Sequence, residues 1–364
     1  MSISAAIGSP SASRNLSQNH LPCKFTPSEY DSMRNRSSST NRPSERCCKI
    51  TSFGSEDDRE HSGAELGKDG EIRSDPAEGD RWRTPARIRS VELGDLRVSY
   101  VPDGVVEVKS AALFPETSSS DWENLQSLID DSGYLASSSG GLLVEDGRRA
   151  LLIDSGYGPL SAPADPANQY IGAIRGGGLL SSLSELGCDA ADIEAVAFTH
   201  LHFDHVGWAA QADASGRANV FRNARYLFSE QEWRNRQPSH GVTGSMIATL
   251  ESRAQTVVSG EEIFPGVRVI SLPGHTLGHI GFMISSVGNR LLAFGDVMHT
   301  TAQLNHPDWT LPADPDNVAA IRSRRQTIDL LTDTSIIGAG GHFADVVFGQ
   351  IRASGAELIW QPLP

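Results

Sequence analysis

Residues 199–205 read Thr-His-Leu-His-Phe-Asp-His, and no other stretch of the chain limits its fold so tightly. Four groups able to ligate a metal, His200, His202, Asp204 and His205, fall within six residues. Just ahead of them, residues 193–198 form a mostly apolar run of strand length that ends at a turn. Alternate residues of an extended segment share a side, so His200 and His202 can converge on one ion. Asp204 and His205 follow where the chain must bend, and can turn toward a second. Imidazole with carboxylate suits zinc, iron, manganese or nickel rather than calcium or magnesium. The bland alternative is a polar turn that happens to carry histidines. With only 11 histidines in 364 residues, three of them within six positions beside an aspartate argue against it.

Composition removes several function classes. No apolar run approaches the 18 or so residues that a membrane-spanning helix needs. The formal net charge of −14 argues against a nucleic-acid partner, because phosphate binding requires a basic surface. Residues 1–85 hold 13 acids and 12 bases, which leaves 32 acids against 19 bases beyond them, so the acidity belongs to the C-terminal part. Four cysteines in so long a chain form no disulfide framework, which favours a reduced, cytoplasmic setting.

Residues 1–85 are rich in Ser, Asn, Arg and Gly and show no sustained periodicity. Such a segment buries too little apolar surface to offset its ordering entropy, so a disordered, non-catalytic extension is expected there. Its first fifty residues hold only Glu29, Asp31 and Glu45 as acids, which leaves organellar targeting or a misplaced start as alternatives. Globular patterning begins near residue 88. Residues 96–101 and 105–108 alternate as two strands, and residues 142–145 and 150–154 flank Asp146-Gly147 as a hairpin. Leu179, Leu180, Leu183 and Leu186 make a helical stripe closed by Gly187. Further strands are expected near 224–228, 267–272, 281–285 and 290–294, with helices near 229–235, 245–253 and 317–331. Interleaved strands and helices imply sheet and helix layers in one domain, taken as residues 86–364.

The heptad has downstream companions. His275 lies in Leu-Pro-Gly-His-Thr-Leu-Gly-His, Asp296 in Phe-Gly-Asp-Val and His342 in Gly-Gly-His-Phe. With these motifs in order, the chain resembles the metallo-β-lactamase-fold metallo-hydrolases over roughly residues 90–360, nearest their lactonase and organophosphate-hydrolase branch. The resemblance implies an α/β fold, an αββα sandwich of two facing mixed sheets with outer helices and metals at one edge. It implies one ion on His200, His202 and His275 and a second on Asp204, His205 and His342, with Asp296 bridging. Two divalent ions are then expected as cofactors, zinc first, with iron or manganese as alternatives. Asp204 and Asp296 would be the catalytic carboxylates, and a bridging hydroxide of pKa lowered toward about 7 would attack a small lactone or ester. Asp154 at a strand end and Thr199 are either supports for the metal loop or plain turn residues.

The interval of 70 residues from His205 to His275 is longer than glyoxalase II-like and persulfide dioxygenase enzymes usually show. A mononuclear-iron sulfur oxidoreductase of that kind is the alternative from another reaction class, alongside a phosphotriester hydrolase and a non-catalytic module keeping the fold. The expected partner is a small molecule, with no nucleic acid and no membrane; a homodimer is compatible with the sequence. Phe114, Trp122, Phe203, Trp208, His299 and Trp309 are the candidate pocket residues. Trp122 stands in the Ser- and Asp-rich connection 114–141, which is long enough to serve as a lid. His279 and His306 match no ligand position, and His279 is expected to be structural.

Overall fold

Residues 78–168, 170–211, 219–238 and 241–364 are described in the computed structural model, with two further two-residue strands, Glu65–Leu66 and Ile72–Arg73. The remainder of the expected extension lies outside the described residues.

The alternating segments build two sheets. The first holds nine strands: β1 Arg89–Leu93, β2 Leu96–Lys109, β3 Tyr134–Asp146, β4 Arg149–Ile153, β5 Ser161–Ala162, β6 Ile171–Arg175, β7 Ile193–Ala197, β8 Arg225–Ser229 and β9 Ala254–Val257. Their order is β9-β8-β7-β4-β3-β2-β6-β5, with β1 on the same side of β2 as β6. Strands β4, β7, β8 and β9 run parallel, so their C-terminal ends share one edge. The second sheet takes its seven strands in chain order: β10 Glu262–Phe264, β11 Val267–Ser271, β12 Ile280–Ser286, β13 Asn289–Ala293, β14 Ile336–Ala339, β15 Phe348–Ser354 and β16 Glu357–Pro362. Only β13 and β14 are parallel in it, joined by a crossover that contains the helix Asn317–Leu331.

Period-two alternation decides which face each residue covers. Leu151 and Ile153 of β4 enter the layer between the sheets with Val98, Ala195, Val269, Phe282 and Leu291. Ala150 and Leu152 point the other way, into a layer with Leu179, Leu183, Phe198 and Phe228. Trp360, Ile328 and Leu331 fill the outer face of the second sheet beneath the long helix. The result is a sandwich of two mixed sheets with helices outside, as the sequence led us to expect. Among the described residues no helix is long and apolar enough to cross a membrane.

Three local features differ from the reading of the sequence. Residues 96–109 form one 14-residue strand rather than two, because a register shift between Pro102 and Gly104 absorbs the residues that looked like a break. Residues Ser119–Leu128 do turn, but as a 3-10 helix kinked at Leu125. Packed structure also begins before Ala86. Glu78–Arg83 form a 3-10 helix whose Trp82 packs against two core clusters.

Candidate metal centre

The centre forms where strand ends of both sheets meet. Strand β7 stops at Ala197, and the chain runs through His200 and His202 into the one-turn helix Phe203–Val206. Its neighbour β4 stops at Ile153, which places Asp154 beside the same loop. Asp154 accepts from Thr199 N at 2.9 Å and Thr199 Oγ1 at 2.8 Å, and lies 3.0 Å from His205 Nδ1. Thr199 Oγ1 in turn meets His200 Nδ1 at 3.0 Å. Asp154 takes φ +62°, a left-handed conformation that costs a non-glycine residue energy and is kept where surrounding contacts over-determine it. It thereby orients His205 directly and His200 through Thr199.

The second sheet supplies the rest. His275 sits between β11 and β12, Asp296 in the turn Gly295–Val297 after β13, and His342 just beyond β14. Because β13 and β14 are parallel neighbours, their C-terminal ends deliver Asp296 and His342 side by side. Gly274 lets the His275 loop lie against the long helix: at φ +139°, a Cβ there would stand 2.1 Å from Ala320 N.

Four groups of ligand-type atoms converge here, each within 4.8 Å of one another. They are His200, His202 and His275; Asp204, His205 and His342; His200, His279 and Asp296; and His275, Asp296 and His299. The first two triads correspond to the two ion positions expected from the sequence. Asp296 stands between them, its Oδ2 at 3.2 Å from His205 Nε2, 3.2 Å from His342 Nε2, 3.5 Å from His275 Nε2 and 3.7 Å from His200 Nε2.

The electrostatics suit a cation. Burial opposes ionisation of Asp296, but the imidazoles of His205, His342, His200 and His299 outweigh it and hold the carboxyl well below its usual range. Burial likewise opposes charge on His205, yet Asp296, Asp204 and Asp154 together raise its pKa well above the ordinary value. His200 is driven well down, by burial first and then by neighbouring histidines. His200 Nε2 and His205 Nε2 are buried and make no well-directed hydrogen bond among the described residues, although carboxylate oxygens lie near both. A buried polar atom left so is expensive, and a metal ion is the partner such nitrogens fit.

Sequence reasoning missed two supports. Asp314 holds His275 Nδ1 at 2.9 Å and accepts from Leu311 N at 3.1 Å. Glu232, buried in the short helix Glu230–Arg234, accepts from Leu201 N at 2.8 Å, Thr276 Oγ1 at 2.6 Å and Gly278 N at 3.1 Å. It ties the heptad loop to the His275 loop. Neither acid stands in a recognisable motif, so only the fold exposes them. Both ring nitrogens of His279 are engaged within the loops: its Nδ1 meets Leu272 O and its Nε2 accepts from Asp296 N.

A cavity of about 160 Å3 opens onto the centre, lined by Val106, Val108, Leu113, Tyr157, Ile174, Phe203 and Leu311 beside His202, Asp204, His275, Asp296, His299 and His342. Of the candidate pocket residues, Phe203 and His299 are therefore in place. His299 Nε2 lies 3.3 Å from Asp296 Oδ2, and burial pushes its pKa down to about 4. The other four are not brought to the cavity. Phe114, Trp122 and Trp309 pack on one another, with ring centroids 5.3–6.0 Å apart, behind the wall that Leu113 and Leu311 form. Trp122 is buried and donates its indole N–H to Thr117 Oγ1 at 3.0 Å, so it is packing rather than a lid contact. Trp208 turns away and donates to Asp103 Oδ1 at 2.7 Å. His306 stacks on Trp309.

A two-sheet sandwich with clustered His and Asp at the strand ends defines a metal-dependent hydrolase fold. Residues 141–339, over half of the chain, match the Metallo-beta-lactamase superfamily, and the protein belongs to it. It is 30% identical over 223 residues to Metallo-beta-lactamase domain-containing protein 1 of Xenopus laevis, a match that covers 60% of this chain and 81% of that protein. Among solved structures, AidC, a dizinc quorum-quenching lactonase in complex with its product, superposes with a TM-score of 0.65 at 23% identity, over 76% of this chain and 97% of that one. The hydrolase AbOPH of the β-lactamase superfamily gives 0.60 at 22% identity, over 78% and 99%. At such identities these neighbours speak to the fold. Superfamily membership implies hydrolase chemistry and divalent-metal binding, and His and Asp clusters able to hold a metal are present.

Proposed function

We propose that the protein is a dinuclear metal-dependent hydrolase of small lactones or esters, with one ion on His200, His202 and His275 and the other on Asp204, His205 and His342. The observation that carries this reading is the position of Asp296 Oδ2, within 3.7 Å of imidazole nitrogens from both triads. When bound, a pair of divalent ions supplies Lewis acidity and a nucleophile drawn from water at neutral pH.

The chain's own residues would do the remainder. Asp154, Thr199 and Asp314 fix the imidazole rings through their second nitrogens, as ligating histidines generally require. The aliphatic part of the cavity wall accepts the apolar part of a substrate. Tyr157 lines that wall; burial, then Asp204, Asp296 and Asp103, hold its phenol well above the usual value. It therefore stays protonated at neutral pH and able to donate to a substrate oxygen. Hydrolysis adds the water oxygen to the acyl carbon, breaks the acyl–oxygen bond and leaves a proton for the departing alkoxide.

Metal content measured alongside hydrolysis of lactones, aryl esters and phosphotriesters tests the proposal. About two zinc-like ions per chain with lactone or ester turnover are expected. One iron per chain with oxygen-dependent turnover of a persulfide would favour the mononuclear alternative and refute this one.

A further inference from the structure

We propose that the segment from Arg81 to Arg89 positions His342 by gripping Asp345, and so sets how tightly the centre holds the ion bound by Asp204, His205 and His342. The inference rests on the metal reading above and adds residues that no ligand motif contains. Its starting point is a gap in regular structure. Strand β14 ends at Ala339 and β15 begins at Phe348, so residues 340–347, His342 among them, belong to neither strand. Ala344 within this turn takes φ +41°, a left-handed conformation that a non-glycine residue adopts only when held there.

Tyr100 Oη on Gly341 O and Ser137 Oγ at 3.2 Å from His342 Nδ1 hold part of it, and the rest comes from the N-terminal side. Asp345 is fully buried. Its Oδ1 accepts from Arg87 N at 2.9 Å, and its Oδ2 accepts from Arg89 Nη2 at 2.7 Å. Arg81 donates from Nη2 to Asp345 O at 2.9 Å and to Leu363 O at 3.0 Å, while Asp345 N donates to Arg81 O at 3.0 Å. A second line runs through Ser138. Ala86 N donates to Ser138 Oγ at 2.9 Å, Ser138 Oγ donates to Ala344 O at 3.2 Å, and Ser138 O meets His342 Nδ1 at 2.7 Å. The nitrogen of His342 that does not face Asp296 is thus seated on a residue clasped by the same segment.

A buried carboxylate held by the Arg89 side chain and the Arg87 backbone N–H, with Arg81 bonded to the carbonyl of the same residue, is a rigid anchor, because each of its partners is committed to a fixed direction. With Asp345 fixed, His342 three residues earlier can rotate little. Loosening the clasp should leave the other triad intact, since His200, His202 and His275 are supported by Thr199, Glu232 and Asp314 instead. Arg81, Arg87, Arg89 and Asp345 are accordingly positioning residues.

The test uses the full chain loaded with zinc, elemental analysis for ions per chain, and the rate of zinc release to a chromogenic chelator. Wild type is expected to release two ions in two phases. Arg81→Met should accelerate one phase by up to about 10-fold, the low end of the loss when a residue bonded to a ligand is removed, because Arg81 reaches His342 only through Asp345, and leave the other unchanged. Arg81→Lys should recover part of the difference. Leu291→Val, which lowers stability from within the sheet interface, serves as the control for global weakening and should change neither phase selectively. If Arg81→Met does not fold, Asp345→Asn is expected to show the same selective acceleration. Two unchanged phases, or both phases accelerated as in the control, would overturn the inference. Wild-type protein that holds no zinc would overturn the metal reading and this inference with it.

Discussion

Glu232 offers a quantitative test of how the centre is assembled. Its carboxylate accepts three hydrogen bonds, from Leu201 N, Thr276 Oγ1 and Gly278 N, and it is buried. Each bond to a charged acceptor is worth about 1.5–3 kcal/mol net, and a buried donor left unpaired costs about 1–3 kcal/mol. Glu232→Gln keeps the shape and one acceptor oxygen, but turns an NH2 group toward a donor. A loss of about 2 kcal/mol is expected, or roughly 4 °C in Tm for a domain of this size. Glu232→Ala strands all three donors and opens a void, so about 4 kcal/mol is expected, the terms not being additive. Urea denaturation in excess chelator measures this without any contribution from bound metal. The loaded protein should also lose its ion at His200, His202 and His275 before the other. A Glu232→Gln variant within 0.5 kcal/mol of wild type, about the size of an ordinary surface substitution, would refute the role assigned to this carboxylate.

Other outcomes follow from the same geometry. His200→Ala or Asp204→Ala should abolish hydrolysis while circular dichroism stays native; activity surviving in either would contradict the ligand assignment. Asp296→Ala should reduce metal content at both positions, and loss of one ion alone would show that it is no bridge. Trp122→Ala should cost about 3–5 kcal/mol of stability and leave the ratio of rates on short and long acyl chains unchanged, because the ring packs behind the cavity wall. Asp314 gives a pH test in the metal-free protein. Burial raises its pKa, but the hydrogen bond and charge of His275 outweigh that and hold it below the usual range. Its contribution to stability is thus complete above the unfolded value of about 3.9 and is lost as pH falls through the lower folded value. Asp314→Asn should flatten the acid limb of Tm against pH, and an unaltered limb would count against the His275–Asp314 pair.

Much of this was legible in the chain because the information was local. The heptad sits at a strand end, so residues 193–205 carry both the element and its ligands. The helical stripe from Leu179 and the Asp146-Gly147 turn likewise encode their own structure. What stayed hidden depends on contacts distant in sequence. Glu232 meets Thr276 across 44 positions, and Arg81 meets Asp345 across 264, with no periodicity to announce either. Aromatic residues misled for a related reason. Phe114, Trp122 and Trp309 look like pocket residues by their chemistry, but they satisfy one another in a cluster of their own. The Pro102-Asp103-Gly104 bulge was misread because those residues mark a turn in most contexts, and only pairing with β3 keeps the strand continuous.

The proposed ligands are divided between the sheets: His200, His202, Asp204 and His205 follow β7 of the first, while His275, Asp296 and His342 lie on loops of the second. Neither sheet alone can complete a triad around either ion. A half-folded chain, with one sheet formed and the other still open, would therefore bind metal poorly, whatever its secondary structure. With the ligands as proposed, ion uptake would act as a proofreading step for assembly, rewarding only chains whose two halves have closed in register. At a free metal concentration a thousandfold above Kd that reward is about 4 kcal/mol, and it falls to the closed form alone.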